Sequence, residues 1–153
     1  MKIRKAESTE METVRTLFKD YAKELNVDLC FQSFDEELKK LPGVYAEPEG
    51  CILVVEDNDS SLQGVVGLKK LEEGVCEMKR LYITPEFRKG GNGRKLANAL
   101  LEEAKVKEYK IMKLDTIERL APAVKLYKEL GFEKTKAYNY NPDATVLYFQ
   151  KKL

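Results

Sequence analysis

The densest chemistry in the chain lies in six residues, Arg88-Lys89-Gly90-Gly91-Asn92-Gly93, with Arg94 and Lys95 following at once. Glycine permits positive φ and lets a ligand come close to backbone N–H groups. The first turn of a helix adds unpaired donors and the positive end of the dipole, which together favour an anion. A flexible loop with a solvated basic flank is the plainer reading. The flanking residues favour a phosphate cradle, because 77–83 reads as a strand stopped by Pro85. Downstream, Leu96, Ala97, Leu100, Leu101 and Ala104 recur at helical spacing.

The chain has no histidine. That removes Ser-His-Asp and Cys-His nucleophile systems, histidine bases and histidine-ligated metals. Chemistry must come from carboxylates, tyrosines, lysines or the backbone. Cys30, Cys51 and Cys76 match neither a disulfide framework nor zinc spacing. They are expected as buried small hydrophobes, though Cys76 adjoins Glu77, where a site could form. No metal is expected. Two familiar phosphate motifs also fail. The Walker A string is absent. The dinucleotide fingerprint finds two glycines in Gly91-Asn92-Gly93 but Leu96 at the third position, with seven residues between Ile83 and Gly91.

The elements that must position the glycine turn follow from periodicity. Residues 2–6 open as a short strand. Thr9 and Glu12 have capping-box spacing ahead of a helix whose apolar face is Met11, Val14, Phe18, Tyr21, Ala22 and Leu25. A second helix begins at Ser33 with Glu36 at its box position and stops at Pro42-Gly43; 44–50 reads as loop. Residues 51–55, 62–71 and 75–83 form a three-stranded antiparallel meander. A helix from Gly93 to about Glu108 then feeds the strand 111–115, which implies a parallel pair joined by a right-handed crossover. Pro122 suits a first helical turn and Gly131 a C′ position. Strands 132–138 and 144–152 close the fold. The sum is an α/β protein with a mixed, mostly antiparallel twisted sheet of about seven strands and helices on both faces.

At 153 residues the chain fits one domain, 1–153. Its 27 basic and 26 acidic residues leave a net charge of +1, which gives no general pull toward nucleic acid or membrane. No stretch approaches the roughly 20 apolar residues of a membrane span and the first residues lack an apolar signal core, so the default location is cytoplasmic.

Arg88-x-x-Gly91-x-Gly93, with Leu96 next on the helix, resembles the signature of the GCN5-related N-acetyltransferase (GNAT) superfamily. Leu81-Tyr-Ile-Thr-Pro85 resembles that family's fourth strand. Ala123 and Leu126-Tyr127, followed by Gly131-Phe132, resemble its late helix and the strand after it. The order of elements fits throughout. The resemblance implies that the fourth and fifth strands part at a bulge and admit acetyl-coenzyme A. The backbone of Leu81, Tyr82 and Ile83 would pair with the pantetheine arm. The N–H groups of Lys89, Gly90, Gly91, Asn92, Gly93 and Arg94 would hold the pyrophosphate, with Arg88 bracing the loop. The implied reaction is acetyl transfer to a primary amine by direct attack, with a small molecule or amino acid favoured over a protein as the acceptor.

By the same resemblance Tyr127 is the general acid beside the cofactor sulfur, and Glu77, eleven positions before Arg88, the candidate base, with Glu7 a weaker one. The residues alone offer plainer readings: Tyr127 as a packing tyrosine on a helix face, Glu77 as a glutamate paired with Lys79 or Arg80. Phe34, Tyr138 and Tyr140 lie where the family builds its acceptor pocket, and a homodimer is the family expectation. One position departs: many members carry asparagine seven residues before the helix tyrosine, and here it is Leu120. Alternatives from other classes are a CoA-binding or interaction module without catalysis, and a nucleotide-binding domain.

Overall fold

The computed structural model describes residues 1–26, 29 and 33–153; Cys30 lies outside them. Its strands are β1 (Lys2–Lys5), β2 (Cys51–Glu56), β3 (Leu62–Glu72), β4 (Val75–Ile83), β5 (Ile111–Ile117), β6 (Glu133–Thr135) and β7 (Val146–Lys152). They form one sheet in the order β1-β2-β3-β4-β5-β7-β6. Every neighbouring pair is antiparallel except β4 with β5. Helix α3 (Asn92–Val106) supplies the crossover that the parallel pair requires. This is the mixed seven-stranded sheet that the sequence implies. Among the described residues no helix is long and apolar enough to cross a membrane.

Strand β2 is buried on both faces, so its alternate side chains divide the core in two. Cys51, Leu53 and Val55 share a cluster with Leu96, Ala97, Leu100, Leu101 and Ala104 of α3. Ile52 and Val54 join Val14, Leu17 and Phe18 of α1 (Met11–Leu25) and Phe34 and Leu38 of α2 (Phe34–Lys39). The last helix, α4 (Ala121–Glu129), enters the α3-side cluster through Tyr127. Cys76 points to that side as well, away from Glu77. Burial pushes its thiol up to about 12, and its Sγ lies 3.6 Å from the Ile111 carbonyl. It is a core residue and no part of a site.

Several local readings change. Thr9 and Glu12 do not cap α1. Glu10 instead accepts the Glu7 N–H at 2.8 Å, because Arg4 of β1 fixes the same carboxylate with two bonds of 2.8 Å. Helix α2 begins at Phe34, since Ser33 sits at φ 57 without a side-chain cap. The strand expected over 132–138 is paired only at 133–135, which leaves Tyr138 on the connection between β6 and β7. Within 44–50, Tyr45 is 1% exposed, and its ring fills the space above Gly67. A Cβ added at Gly67 would stand 2.6 Å from Tyr45 Cε1.

That contact makes Gly67→Ala a test of the packing. The ring is buried and must shift to admit a Cβ, so the variant is expected to lose about 1–3 kcal/mol, the range for overpacking a core. Urea unfolding midpoints of the two proteins measure it; equal midpoints would show that the ring yields freely.

Candidate functional site

The site begins where a ladder stops. Strands β4 and β5 pair only at Val75–Ile111, Cys76–Met112 and Glu77–Lys113. Beyond that row β4 runs on to Ile83 and β5 to Ile117 without pairing to each other. Toward its other neighbour β4 carries an extra residue. Val65 faces Tyr82 and Gly67 faces Lys79, so two residues of β4, Arg80 and Leu81, stand against the single Val66 of β3. Arg80 is the bulged residue, at φ 61, a region that non-glycine residues rarely adopt.

A buried ion pair holds the bulge. The Arg80 guanidinium, 3% exposed as a residue, makes bonds of 3.0 and 2.9 Å to both Glu37 oxygens. It also lies 5.0 Å from the Phe34 ring centre and 5.9 Å from that of Tyr21. Burial works against its charge, and the Glu37 carboxylate outweighs that and keeps it ionised.

The opening between the strands is lined as a channel. A small cavity of about 50 Å³ sits at the split, walled by Lys79, Arg80 and Leu81 of β4, Asp115 and Thr116 of β5, and Tyr127. A larger one of about 310 Å³ continues past Tyr82 and Ile83 to Arg88 and Gly93. Tyr21, Leu81, Leu120 and Ala123 line both. Leu120, where the family pattern has asparagine, is therefore an apolar wall of the channel.

At the mouth, Gly90 and Gly91 take φ of 84 and 73, and a Cβ at either would meet nothing within 4 Å. Helix α3 starts directly after them, with no side-chain cap. Its first turn bond runs from Lys95 N–H to the Gly91 carbonyl. The N–H groups of Asn92, Gly93 and Arg94 precede that bond and, as at any helix start, have no helical acceptor. Two side chains tie the turn down: Arg88 Nε donates to the Ile83 carbonyl at 2.9 Å, and Asn92 Nδ2 to that of Phe87 at 2.7 Å. Arg88 also pairs with Glu24 of α1 and covers the Tyr82 ring at 5.6 Å. Arg94 pairs with Glu129 of α4 at 2.9 Å, while Lys89 and Gly90 are exposed.

Tyr127 and Glu77 sit on opposite faces of the sheet, with the split between them. Tyr127 is 7% exposed, packed edge-on to Phe132, and lines the small cavity. Among the described residues its hydroxyl has no hydrogen-bond partner. Burial pushes its phenol well above the usual tyrosine range, so it stays protonated at neutral pH. Glu77 is 2% exposed, and Arg80 is paired with Glu37 rather than with it. Its Oε2 accepts the Tyr138 hydroxyl at 2.7 Å, and Lys69 stands 4.0 Å from Oε1. Tyr138 is clamped as well by the Lys113 ammonium, 5.3 Å from its ring centre, and by the edge of Tyr148.

Of the other expected acceptor residues, Phe34 is buried and backs Arg80 rather than lining the channel. Tyr140 is 77% exposed and joins none of these contacts. Glu7 is exposed beside β1. The sequence reading missed Arg80, Glu37, Lys113 and Asp115. A charged run Glu-x-Lys-Arg on a strand otherwise buried was the available signal for Arg80.

A parallel pair parted around a bulge, with a glycine turn at its mouth, defines an acyl-CoA N-acyltransferase. Residues 11–132 match the Acetyltransferase (GNAT) family, and the chain belongs to it. It is an N-acetyltransferase. An uncharacterized N-acetyltransferase of Schizosaccharomyces pombe is 35% identical over 145 residues, which cover 94% of this chain and 89% of that one. The crystal structure of a GNAT-family acetyltransferase from Staphylococcus aureus superposes with a TM-score of 0.83, at 16% identity, over 99% of this chain and 98% of that one. A Salmonella typhimurium structure that contains acetyl-CoA superposes at 0.71, with 19% identity, over 99% and 93%.

The bulge anchor is open to test. Glu37→Ala strands a buried guanidinium, which is expected to lower stability by about 3 kcal/mol. Chemical denaturation reads this directly, and a loss below about 1 kcal/mol would show that Arg80 finds water or another acceptor.

Proposed function

We propose that the protein transfers an acetyl group from acetyl-CoA to the primary amine of a small molecule or amino acid, by direct attack. The observation that carries this is the end of the β4–β5 ladder at Glu77–Lys113, with a channel leading from that point to the glycine turn. The Salmonella structure holds acetyl-CoA on the same fold, which supports the choice of donor. The residues fit such a ligand. An unpaired strand edge can accept an extended amide chain, and the open N–H groups of the turn suit a pyrophosphate.

When bound, acetyl-CoA supplies an activated acyl group and a thiol leaving group. The chain does the rest. The unpaired edge of Leu81, Tyr82 and Ile83 binds the pantetheine arm, and a backbone N–H freed by the bulge polarises the thioester carbonyl. Lys89, Gly90, Gly91, Asn92, Gly93 and Arg94 surround the pyrophosphate, and Arg88 holds the turn in shape. Tyr127, a buried neutral phenol, donates a proton to the departing sulfur. Glu77 lies on the opposite face, from which the amine arrives. Its buried and occupied carboxylate reaches that amine only through Tyr138 or a water. Tyr138 is the acceptor-side aromatic, Phe34 stiffens the wall behind it through Arg80, and Tyr140 stands at the rim.

Two variants separate binding from chemistry. Gly93 lines the channel, and a Cβ there would meet only Leu126 at 3.9 Å. Gly93→Val is therefore expected to fold normally and to bind acetyl-CoA roughly tenfold more weakly or worse, the scale of one lost charged hydrogen bond. Calorimetric titration giving wild-type affinity would move the pyrophosphate elsewhere. Tyr127→Phe keeps the core volume and removes one hydroxyl that has no partner among the described residues. Turnover should fall by roughly 10²-fold, with acetyl-CoA affinity nearly constant. Full turnover in that variant, with chemistry rate-limiting, would reduce Tyr127 to packing.

A further inference from the structure

Among the described residues, the acceptor face of the sheet carries a lysine ammonium with no carboxylate partner in a defined place. Register puts Lys69 of β3 opposite Glu77 of β4, Glu77 opposite Lys113 of β5, and Lys113 opposite Gln150 of β7. One row across four strands thus holds two cations and one carboxylate. The carboxylate is taken, by the Tyr138 hydroxyl at 2.7 Å and by Lys69 at 4.0 Å. Glu37 is paired with Arg80, while Asp115 accepts Asn139 Nδ2 at 3.1 Å, a neutral donor that leaves its carboxylate charge in place two residues along β5 from Lys113. Lys113 is partly buried, and among the described residues its ammonium has no carboxylate partner, only the face of the Tyr138 ring.

We propose that the amine acceptor carries an anionic group, in the simplest case a carboxylate, and that Lys113 selects it. This rests on the acetyl-transfer reading above and narrows its acceptor to amino-acid-like molecules. Lys113 is two residues before Asp115, which lines the small cavity at the split, so the two are separated by about 6.6 Å along the strand. That spacing suits a molecule whose amine and anion are a few bonds apart. A polyamine of similar length would set a second cation against Lys113.

The charges around the split act on the amine in both directions. The attacking amine must be neutral, and cations around it favour loss of its proton. Burial first, and then the neighbouring Arg80, lower the pKa of Lys79 on the wall of the small cavity, while the carboxylates of Glu77, Asp115 and Glu37 work against them. An acceptor anion on Lys113 would be held by attraction, and the proton of its amine would pass through Tyr138 or a water to the Glu77 carboxylate.

The test is the rate of thiol release from acetyl-CoA with paired acceptors, a set of amino acids and their carboxamides, together with spermidine. The wild-type protein should favour each carboxylate over its carboxamide by about tenfold in kcat/KM, the scale of one hydrogen bond to a charged group. Lys113→Gln should collapse that ratio toward one, mainly through a raised KM for the carboxylates. Lys113→Arg should keep most of it, which a merely structural role would not explain. Carboxamides or spermidine used as well as the carboxylates, or an undiminished ratio in the Gln variant, would overturn anion selection and leave acetyl transfer standing. No thiol release with any acceptor, from protein that binds acetyl-CoA, would overturn both.

Discussion

Everything in the proposed site depends on β4 and β5 ceasing to pair after Glu77 and Lys113. A continuous ladder there would bury the backbone of Leu81, Tyr82 and Ile83 and close the channel. Pairing is the default for two adjacent strands, so something must hold them apart. The structure supplies it from the β3 side, where one extra residue at Arg80 redirects β4. A left-handed arginine is unfavourable by itself. Its side chain is fixed by Glu37, Phe34 and Tyr21 from α2 and α1. The short helix α2, only six residues, thereby acts as the anchor of the split.

The split also explains why the two candidate catalytic groups face away from each other across the sheet. Side chains alternate along β4, so Met78 enters the α3-side core while Glu77 faces the α1 side. Tyr127 comes from α4 on the α3 side and meets the gap from behind. A thioester lying in the gap would have a proton donor on one face and an open approach for the amine on the other. The sheet thus acts as a partition with one window.

Much of the frame was legible in the sequence because its signals are local. Apolar periodicity located the strands and long helices, the crossover length implied the parallel pair, and the glycine turn lies where strand and helix require it. Leu120 was legible as a departure, and its consequence, an apolar channel wall, follows from its place ahead of α4. The contacts that join distant segments were not legible. Tyr138 reaches Glu77 across 61 positions and Glu37 reaches Arg80 across 43. No periodicity reports a side-chain bond of that span. The capping of α1 shows the same limit on a small scale: Thr9 and Glu12 had the right spacing, but Arg4 recruits Glu10 and shifts the cap. Tyr45 was invisible within an apparent loop, since its burial depends on a glycine 22 residues later.

The central claim is that the parted edge of β4 and the glycine turn together hold acetyl-CoA. Amide hydrogen exchange with and without saturating acetyl-CoA measures it residue by residue. The account predicts new protection concentrated at Leu81, Tyr82 and Ile83 and at 89–94, with β2 and the Lys2–Lys5 strand unchanged. Saturated binding with no added protection in either segment would contradict it.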